Sequence, residues 1–223
     1  MRQLVAVLFV LCGSGPAFSD TIVRFQPGGH RNAASASAGY DYSIVTLELG
    51  YNRAFHLSKI NRPLILDTGF SVPVMAFDFK DFKINLGAQI SAINYKYFQL
   101  PVSLNILLRN TANEAYNAFG FGTELGIYPR FYTDKLTVAA EAVWDAEWAT
   151  YITFSDYYKE VIYQDGVEGW YGATGHIFRF GARIGGLIKR RVEIYARGGF
   201  ELQGKYNVKI PPAYGILGAA IRF

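Results

Sequence analysis

Alternation of apolar and polar residues with a period of two is the feature that most constrains how this chain can fold. The clearest example runs from Phe82 to Ser91, where apolar residues at even positions alternate with Lys, Asn, Gly, Gln and Ser. Because successive side chains of a strand point to opposite faces, such a segment predicts a strand with one apolar and one polar face. The pattern recurs in nine segments, which start near Val45, Leu64, Phe82, Leu100, Phe119, Leu136, Phe178, Val192 and Gly215.

The direction of the apolar faces distinguishes two all-β folds. A soluble sandwich would turn them inward, whereas a membrane barrel would turn them toward lipid. Aromatic residues near segment ends, such as Trp144, Trp148 and Trp170, are typical of interfacial girdles, and short connections such as 130–135 alternate with long polar ones such as 155–169. We therefore predict an all-β fold, a single antiparallel up-and-down transmembrane β-barrel, with the soluble sandwich as the alternative.

The first 19 residues have the order of a secretory signal peptide. A positive start at Arg2 precedes an apolar run from Leu4 to Cys12, and small residues follow at Ala17 and Ser19. The run is too short to cross a bilayer as a helix, which needs about 20 apolar residues. We predict that residues 1–19 are removed and that residues 20–223 form the barrel.

Cys12 is the only cysteine of the chain, and it offers an alternative processing route. Lipidation at Cys12 would make the protein a lipoprotein, but Leu11 stands where that processing needs a small side chain. With cleavage after Ser19 the exported chain contains no thiol and cannot form disulfides. Burial and strand ladders must then stabilise it.

The chain ends in a strand-like pattern that places apolar or small residues at every second position up to a terminal aromatic residue, Phe223. This pattern resembles the terminal-strand signal of bacterial outer-membrane barrels, which their insertion machinery reads. The resemblance is to the class of small single-chain barrels of the OmpA, OmpX and OmpW kind, and it extends to no functional site. It implies location in the cell outer membrane, with outer-membrane lipid and the barrel assembly machinery as partners. The implied assembly signal consists of Phe223, Ile221 and Leu217.

A barrel with both termini in the periplasm needs an even number of strands. The nine segments therefore require one more strand, for which Thr21–Phe25 is the only candidate before Val45. This interpretation predicts ten strands rather than eight. It makes the stretch from Gly28 to Gly39, which is rich in Gly, Ala and Ser, the first external loop.

Charged residues on the polar faces predict a lumen that contains opposite charges. Glu141, Asp145 and Glu147 share one face of a single segment, and arginines lie on the polar faces of later segments. In a narrow lumen such groups form either a salt-bridge network that rigidifies the barrel or a charged constriction that selects small solutes or ions. The predicted lumen charge network consists of Glu124, Glu141, Asp145, Glu147, Arg179, Arg183, Glu193, Arg197 and Glu201.

Signatures of other functions are sparse. After signal removal, 21 basic and 18 acidic residues leave a net charge of +3, which does not predict nucleic-acid binding. His30, His56 and His176 occur in no metal-binding or hydrolase motif, so no catalytic residue, metal or cofactor is predicted. Ser155, Glu168 and His176 are the only set from which a lipid-modifying hydrolase could be assembled.

Three functions remain open for this chain. The first is a monomeric, non-enzymatic barrel that serves passive passage of small solutes or ions, or envelope structure. The second is an adhesin or receptor that acts through external loops, of which Ser155–Trp170 is the longest and carries four aromatic residues. The third is the lipid-modifying hydrolase.

Overall fold

The strands of this protein form one antiparallel sheet whose last strand pairs with its first. The computed structural model describes residues 31–41, 44–57, 62–74, 80–162, 166–189, 191–203 and 213–223. Pairing of β1 with β11 closes the sheet into a barrel. The strands in these ranges are β1 (Asn32–Asp41), β2 (Ile44–Leu57), β3 (Arg62–Pro73), β4 (Phe82–Tyr95), β5 (Phe98–Ala112), β6 (Tyr116–Ile127), β7 (Arg130–Tyr132), β8 (Leu136–Phe154), β9 (Gly169–Ile188), β10 (Val192–Gln203) and β11 (Ala213–Arg222).

The strands β6 and β7 occupy a single position in the barrel wall. Pro129 lies between them and has no amide hydrogen to donate, so the ladder is interrupted there. The chain resumes as β7, which pairs with β5 on one side and β8 on the other. The wall therefore contains ten strands, and the predicted closed antiparallel barrel of ten strands is confirmed.

The predicted position of the first external loop was wrong. The stretch from Gly28 to Gly39 instead contributes residues 32–39 to β1. Its Ala, Ser and Gly residues are weak strand formers, but pairing with β2 on one side and β11 on the other outweighs that preference. Thr21–Phe25, predicted as the first strand, and the predicted signal peptide of residues 1–19 lie outside the described residues.

Helical structure is limited, in the part of the chain that the structure describes, to a short segment that includes the π-helical turn Tyr158–Ile162. This turn lies in the connection between β8 and β9, which the sequence predicts as a long loop. None of the described helical structure is long and apolar enough to cross a membrane.

The barrel wall is apolar outside and polar inside. Leu86 and Leu217 are 61% and 69% exposed on the outer face, whereas Asn85 and Asn105 are at most 1% exposed on the inner face. Neighbouring residues of one strand thus face two different environments, as period-two alternation predicts. The apolar faces point away from the interior, which is the opposite of their direction in a soluble sandwich.

The two ends of the barrel differ in the range of their connections, which have two to four residues at one end, the turn end, and two to fourteen at the other, the loop end. At the turn end, short connections join β2 to β3, β4 to β5, β7 to β8 and β9 to β10. Asn32 and Phe223 meet at this end through two backbone hydrogen bonds of 3.1 and 3.0 Å. At the loop end, residues 155–168 connect β8 to β9. These two strands have 19 and 20 residues, whereas β1 and β11 have 10 residues each.

Candidate functional site: the charged lumen

Side chains of two different sizes line the lumen. The lumen-facing residues of β1–β4, which form the small wall, are mainly Ser, Asn, Gly and Thr, whereas β5–β11, the large wall, contribute most of the Arg, Glu and Tyr. On the small wall, Gly69 and Gly87 lie beneath the side chains of Asn85 and Asn105, which occupy the space that a Cβ would need. The lumen is thus filled from one side more than from the other.

Buried charges of both signs are present in equal number in the described barrel. Equal numbers allow each ionised group to be paired, which offsets the cost of removing it from water. The seven basic side chains are Lys83, Arg109, Arg130, Arg179, Arg183, Arg197 and Arg222, and the seven acidic ones are Glu48, Asp67, Glu124, Glu141, Asp145, Glu193 and Glu201. Of the predicted network, eight residues are therefore buried, and Glu147 is partly exposed.

Asp145 is the centre of the charge cluster nearest the loop end. Its Oδ2 accepts a hydrogen bond from Arg109 and lies 3.7 Å from Nζ of Lys83 and 3.9 Å from Nη2 of Arg179. Nη1 of Arg109 also donates to Glu147 at 3.1 Å. Since these residues come from β4, β5, β8 and β9, the cluster joins four strands across the lumen.

Glu141 occupies the middle of the large wall. Its two carboxylate oxygens lie 2.9 and 2.8 Å from Nε of Arg197, and Oε1 also accepts a hydrogen bond from the hydroxyl of Tyr214. Gly181 on β9 lies between these partners, and a Cβ there would meet the carbonyl oxygen of Gly198 at 2.7 Å and Oε1 of Glu141 at 2.8 Å. Because Gly181 has no side chain, Glu141 of β8 can reach across β9 to Arg197 of β10 and Tyr214 of β11.

Glu193 lies near the turn end and is shared by two arginines. Its Oε1 is 3.1 Å from Nη2 of Arg183, and its Oε2 is 3.1 Å from Nη2 of Arg222. The guanidinium of Arg183 also lies 3.7 Å from the ring centroid of Tyr195, which adds a cation–π contact. One carboxylate thus interacts with two buried guanidinium groups.

The remaining members of the network complete the filling of the lumen. Arg179 pairs with Glu201, and Glu124 accepts a hydrogen bond of 2.9 Å from Asn105. Arg179, Glu124 and Glu201 are each 1% exposed, and Glu193 is fully buried. A side chain with so little exposure has no space for water beside it, so the lumen is filled at the level of these described residues.

Four basic residues of the lumen were not assigned to the network from the sequence, and one of them, Arg130, lies in the predicted connection 130–135. Lys83 and Arg109 lie on the polar faces of their segments, and Arg222 lies opposite the apolar face of the last one. The alternation therefore indicates that the side chains of Lys83, Arg109 and Arg222 point inward. Their pairing with acids on strands distant in the sequence, such as Asp145 for Lys83, follows only from closure of the barrel.

Ser155, Glu168 and His176, the set considered for a hydrolase, are not joined by any contact. Oε1 of Glu168 lies 2.8 Å from Nζ of Lys159. Oγ of Ser155 accepts a hydrogen bond from the backbone amide of Tyr158 in the adjacent helical turn. His176 packs edge-on against Phe178, with ring centroids 6.1 Å apart. The described residues also contain no group of three side chains placed to hold a metal ion.

The fold and its lumen together define a small closed antiparallel β-barrel with a filled polar interior and an apolar exterior. No model of a known protein family matches the chain, and no curated protein sequence matches it either. Three solved structures are similar in shape. They are the outer membrane protein Omp33 of Acinetobacter baumannii (9% identity, TM-score 0.38, 87% of this chain and 98% of that one), the β domain of the Bordetella autotransporter Brka (16%, 0.41, 86% and 99%) and the translocator domain of the autotransporter NalP from Neisseria meningitidis (13%, 0.38, 100% and 94%).

Proposed function

We propose that this chain is an integral β-barrel of the bacterial outer membrane whose lumen is closed, and that it serves envelope structure and surface presentation rather than passive passage of solutes. The observation that carries this proposal is a lumen filled by paired charges inside an apolar outer wall. The protein acts in this proposal as a non-enzymatic monomer without a cofactor.

The outer surface of the barrel supports a membrane location. Large apolar side chains are exposed on strands all around the wall, among them Leu49, Ile106, Ile184, Ile194 and Leu217. An apolar surface of this extent would promote aggregation of a soluble protein, but it matches the lipid-facing band of a transmembrane barrel, which is about 25 Å tall. Short turns face the periplasm in such barrels, so we assign the turn end to the periplasm and the loop end to the cell exterior.

The ion pairs support a closed lumen. Carboxylates that select ions in a pore must be accessible to water and to the passing ion. Glu141 and Asp145 are instead buried and are engaged by Arg197, Tyr214 and Arg109. The contacts that offset the burial of these charges therefore also occupy the path that a solute would take.

Planar-bilayer recording tests whether the lumen is closed. Wild-type protein that has the heat-modifiable gel mobility of a folded barrel should show no steady conductance. The double substitution Glu141→Gln with Asp145→Asn should lower the free energy of unfolding by several kcal/mol, because buried cations lose their carboxylate partners, and should still give little conductance. Steady wild-type channels whose cation preference falls in the double variant would overturn the closed-lumen proposal.

Assembly in the outer membrane is proposed to depend on the terminal residues of β11. Leu217, Ile221 and Phe223 lie on the outer face and are exposed, so their side chains fill no space in the lumen. An exposed apolar face at the closing strand is accessible to the barrel assembly machinery. These side chains therefore suit an assembly signal better than a structural core.

The substitution Phe223→Ala should reduce the amount of folded barrel in the outer membrane several-fold, with unassembled chain left in the periplasm. The backbone hydrogen bonds between Phe223 and Asn32 do not involve the ring and should persist. Phe200→Ala is the matched control, because Phe200 lies on the outer face of β10 and is 65% exposed, compared with 55% for Phe223. Equal amounts of heat-modifiable barrel for both variants in membrane fractions would contradict an assembly role for Phe223.

A surface interaction role is the second candidate, and the connection between β8 and β9 favours it. Lys159 and Glu168 hold this connection together at 2.8 Å, and Tyr157, Val161 and Val167 are exposed beside them. Loops on a rigid scaffold are frequent sites of recognition. This role uses only the loop end, so it is compatible with a closed lumen.

A further inference from the structure

Exposed charges are distributed unevenly between the two ends of the described barrel. The loop end carries mainly acidic side chains, namely Asp81, Glu114, Asp156, Glu160 and Glu168, against Lys80 and Lys159. The turn end carries mainly basic ones, namely Arg31, Arg53, Arg62, Lys96, Lys135, Lys189 and Arg191, against the side chain of Asp134. The turn end is therefore a rim that attracts anions.

Two turns of this rim enclose a cleft of about 430 Å³. The turn between β4 and β5 contributes Lys96 and Tyr97, and the turn between β7 and β8 contributes Lys135. The hydroxyl of Tyr132 donates a hydrogen bond of 2.9 Å to the carbonyl oxygen of Lys96, which ties the two turns together. Lys96 has a φ of 47°, a left-handed conformation that is uncommon for a residue with a side chain. The cleft is thus preformed by the backbone and is lined by two lysines.

The outer wall beside the cleft is aromatic. Tyr95, Tyr97 and Phe131 are all more than 60% exposed. Nζ of Lys96 lies 5.4 Å from the ring centroid of Tyr95, so the ammonium group sits next to this aromatic edge. Lysine stems commonly lie along apolar surface at a membrane boundary while their charged ends reach the polar layer. A ligand that satisfies both features must have an anionic head and apolar chains.

We propose that this cleft binds the headgroup phosphate of one glycerophospholipid from the periplasmic leaflet of the membrane. Lys96 and Lys135 attract the phosphate, and the acyl chains lie against Tyr95, Tyr97 and Phe131. Asp134 also lines the cleft, which leaves one net positive charge to meet one phosphate. The inference rests on the membrane location given under the proposed function.

Native mass spectrometry of the full barrel in a detergent without phosphate measures this site directly. Dioleoyl phosphatidylglycerol is titrated onto the wild type, onto Lys96→Gln with Lys135→Gln, and onto the control Lys189→Gln with Arg191→Gln, which removes two rim cations outside the cleft. We expect the first lipid to bind about 30-fold more weakly to the cleft variant, as for the loss of two cation attractions near a membrane surface. The control should bind like the wild type. Equal weakening of both variants, or of neither, overturns the proposal.

Two further probes identify what the cleft recognises. Dioleoylglycerol, which has no phosphate, should bind the wild type and the cleft variant equally weakly. Glycerol 3-phosphate and an acidic peptide should not displace the phospholipid, and displacement by either would assign the cleft to a soluble anion instead.

Incorporation of the wild type into phospholipid vesicles is scored separately by heat-modifiable mobility. Failure to incorporate overturns the membrane location. Normal incorporation with equal lipid affinity for wild type and cleft variant overturns only the cleft proposal.

Discussion

The small wall and the large wall of the lumen reach a closed interior in different ways. Of the fourteen buried charged side chains, only Glu48, Asp67 and Lys83 project from β1–β4. The other eleven, and all five buried tyrosines, belong to the chain from β5 onward. The two walls are therefore complementary in size and unlike in chemistry.

This difference shows how a narrow barrel can bury many charges. Long side chains from both walls would overpack the space, whereas small residues on one wall make room for long ones on the other. On the large wall, stability should depend on specific charged partners such as Glu193. On the small wall it should depend on strand ladders and on short contacts such as the 2.9 Å hydrogen bond from Ser37 to Glu48.

The largest expected effect comes from removing a shared carboxylate on the large wall. Glu193→Gln removes the negative charge that Arg183 and Arg222 share, and we expect the free energy of unfolding to fall by about 3–5 kcal/mol. Denaturant titration of the refolded barrel, followed by gel mobility, measures the change. Ser37→Ala on the small wall should cost about 1–2 kcal/mol. An equal loss for the two variants would remove the distinction between the walls.

An intermediate effect is expected from adding one methyl group to the large wall. In Gly181→Ala the new Cβ would meet the carbonyl oxygen of Gly198 at 2.7 Å, so backbone must shift, and we expect a loss of about 1–3 kcal/mol. Gly186→Ala on the outer face of the same strand is the control, because nothing lies within 4 Å of its Cβ position. It should change the free energy of unfolding by less than about 0.5 kcal/mol. Equal destabilisation by the two substitutions would mean that strand propensity, not lumen packing, sets the cost.

The smallest effect should come from the ion pair at the loop end, which is exposed to water. The hydrogen bond from Lys159, together with the amide of Phe154, lowers the pKa of Glu168, and the same hydrogen bond raises the pKa of Lys159. Because the pKa of Glu168 is lowered on folding, the contact stabilises the loop above the ordinary carboxyl pKa and is lost as pH falls through the lowered value. Because the pKa of Lys159 is raised, the contact is also lost as pH rises through that raised value.

The amide resonance of Phe154 reports this titration by NMR, since its nitrogen lies 2.8 Å from Oε1 of Glu168. It should shift on acidification, and Lys159→Gln should move the midpoint toward the ordinary carboxyl pKa. An unchanged midpoint in Lys159→Gln would mean that the contact with Lys159 does not lower the pKa of Glu168.

Period-two alternation predicts, for the nine segments that show it, which side chains share a face, but not which of them meet. Lys83 and Arg109 could be placed on polar faces from their neighbours alone. Their common partner Asp145 lies three wall positions from Lys83, and this proximity arises only when the sheet closes. The first strand escaped prediction for a related reason. Its residues carry little preference of their own, and pairing with β2 and β11 determines its structure.

The unequal strand lengths give the barrel a slanted outline. About 9–11 residues suffice for a tilted strand to cross the membrane, so β1 and β11 have few residues to spare, whereas β8 and β9 continue for about nine more. Nine residues of strand extend about 30 Å. In the proposed orientation this excess forms a crest on one side of the barrel, topped by the turn Tyr158–Ile162. Under this proposal, a large particle approaching from that side would meet the crest before the described ends of β1 and β2.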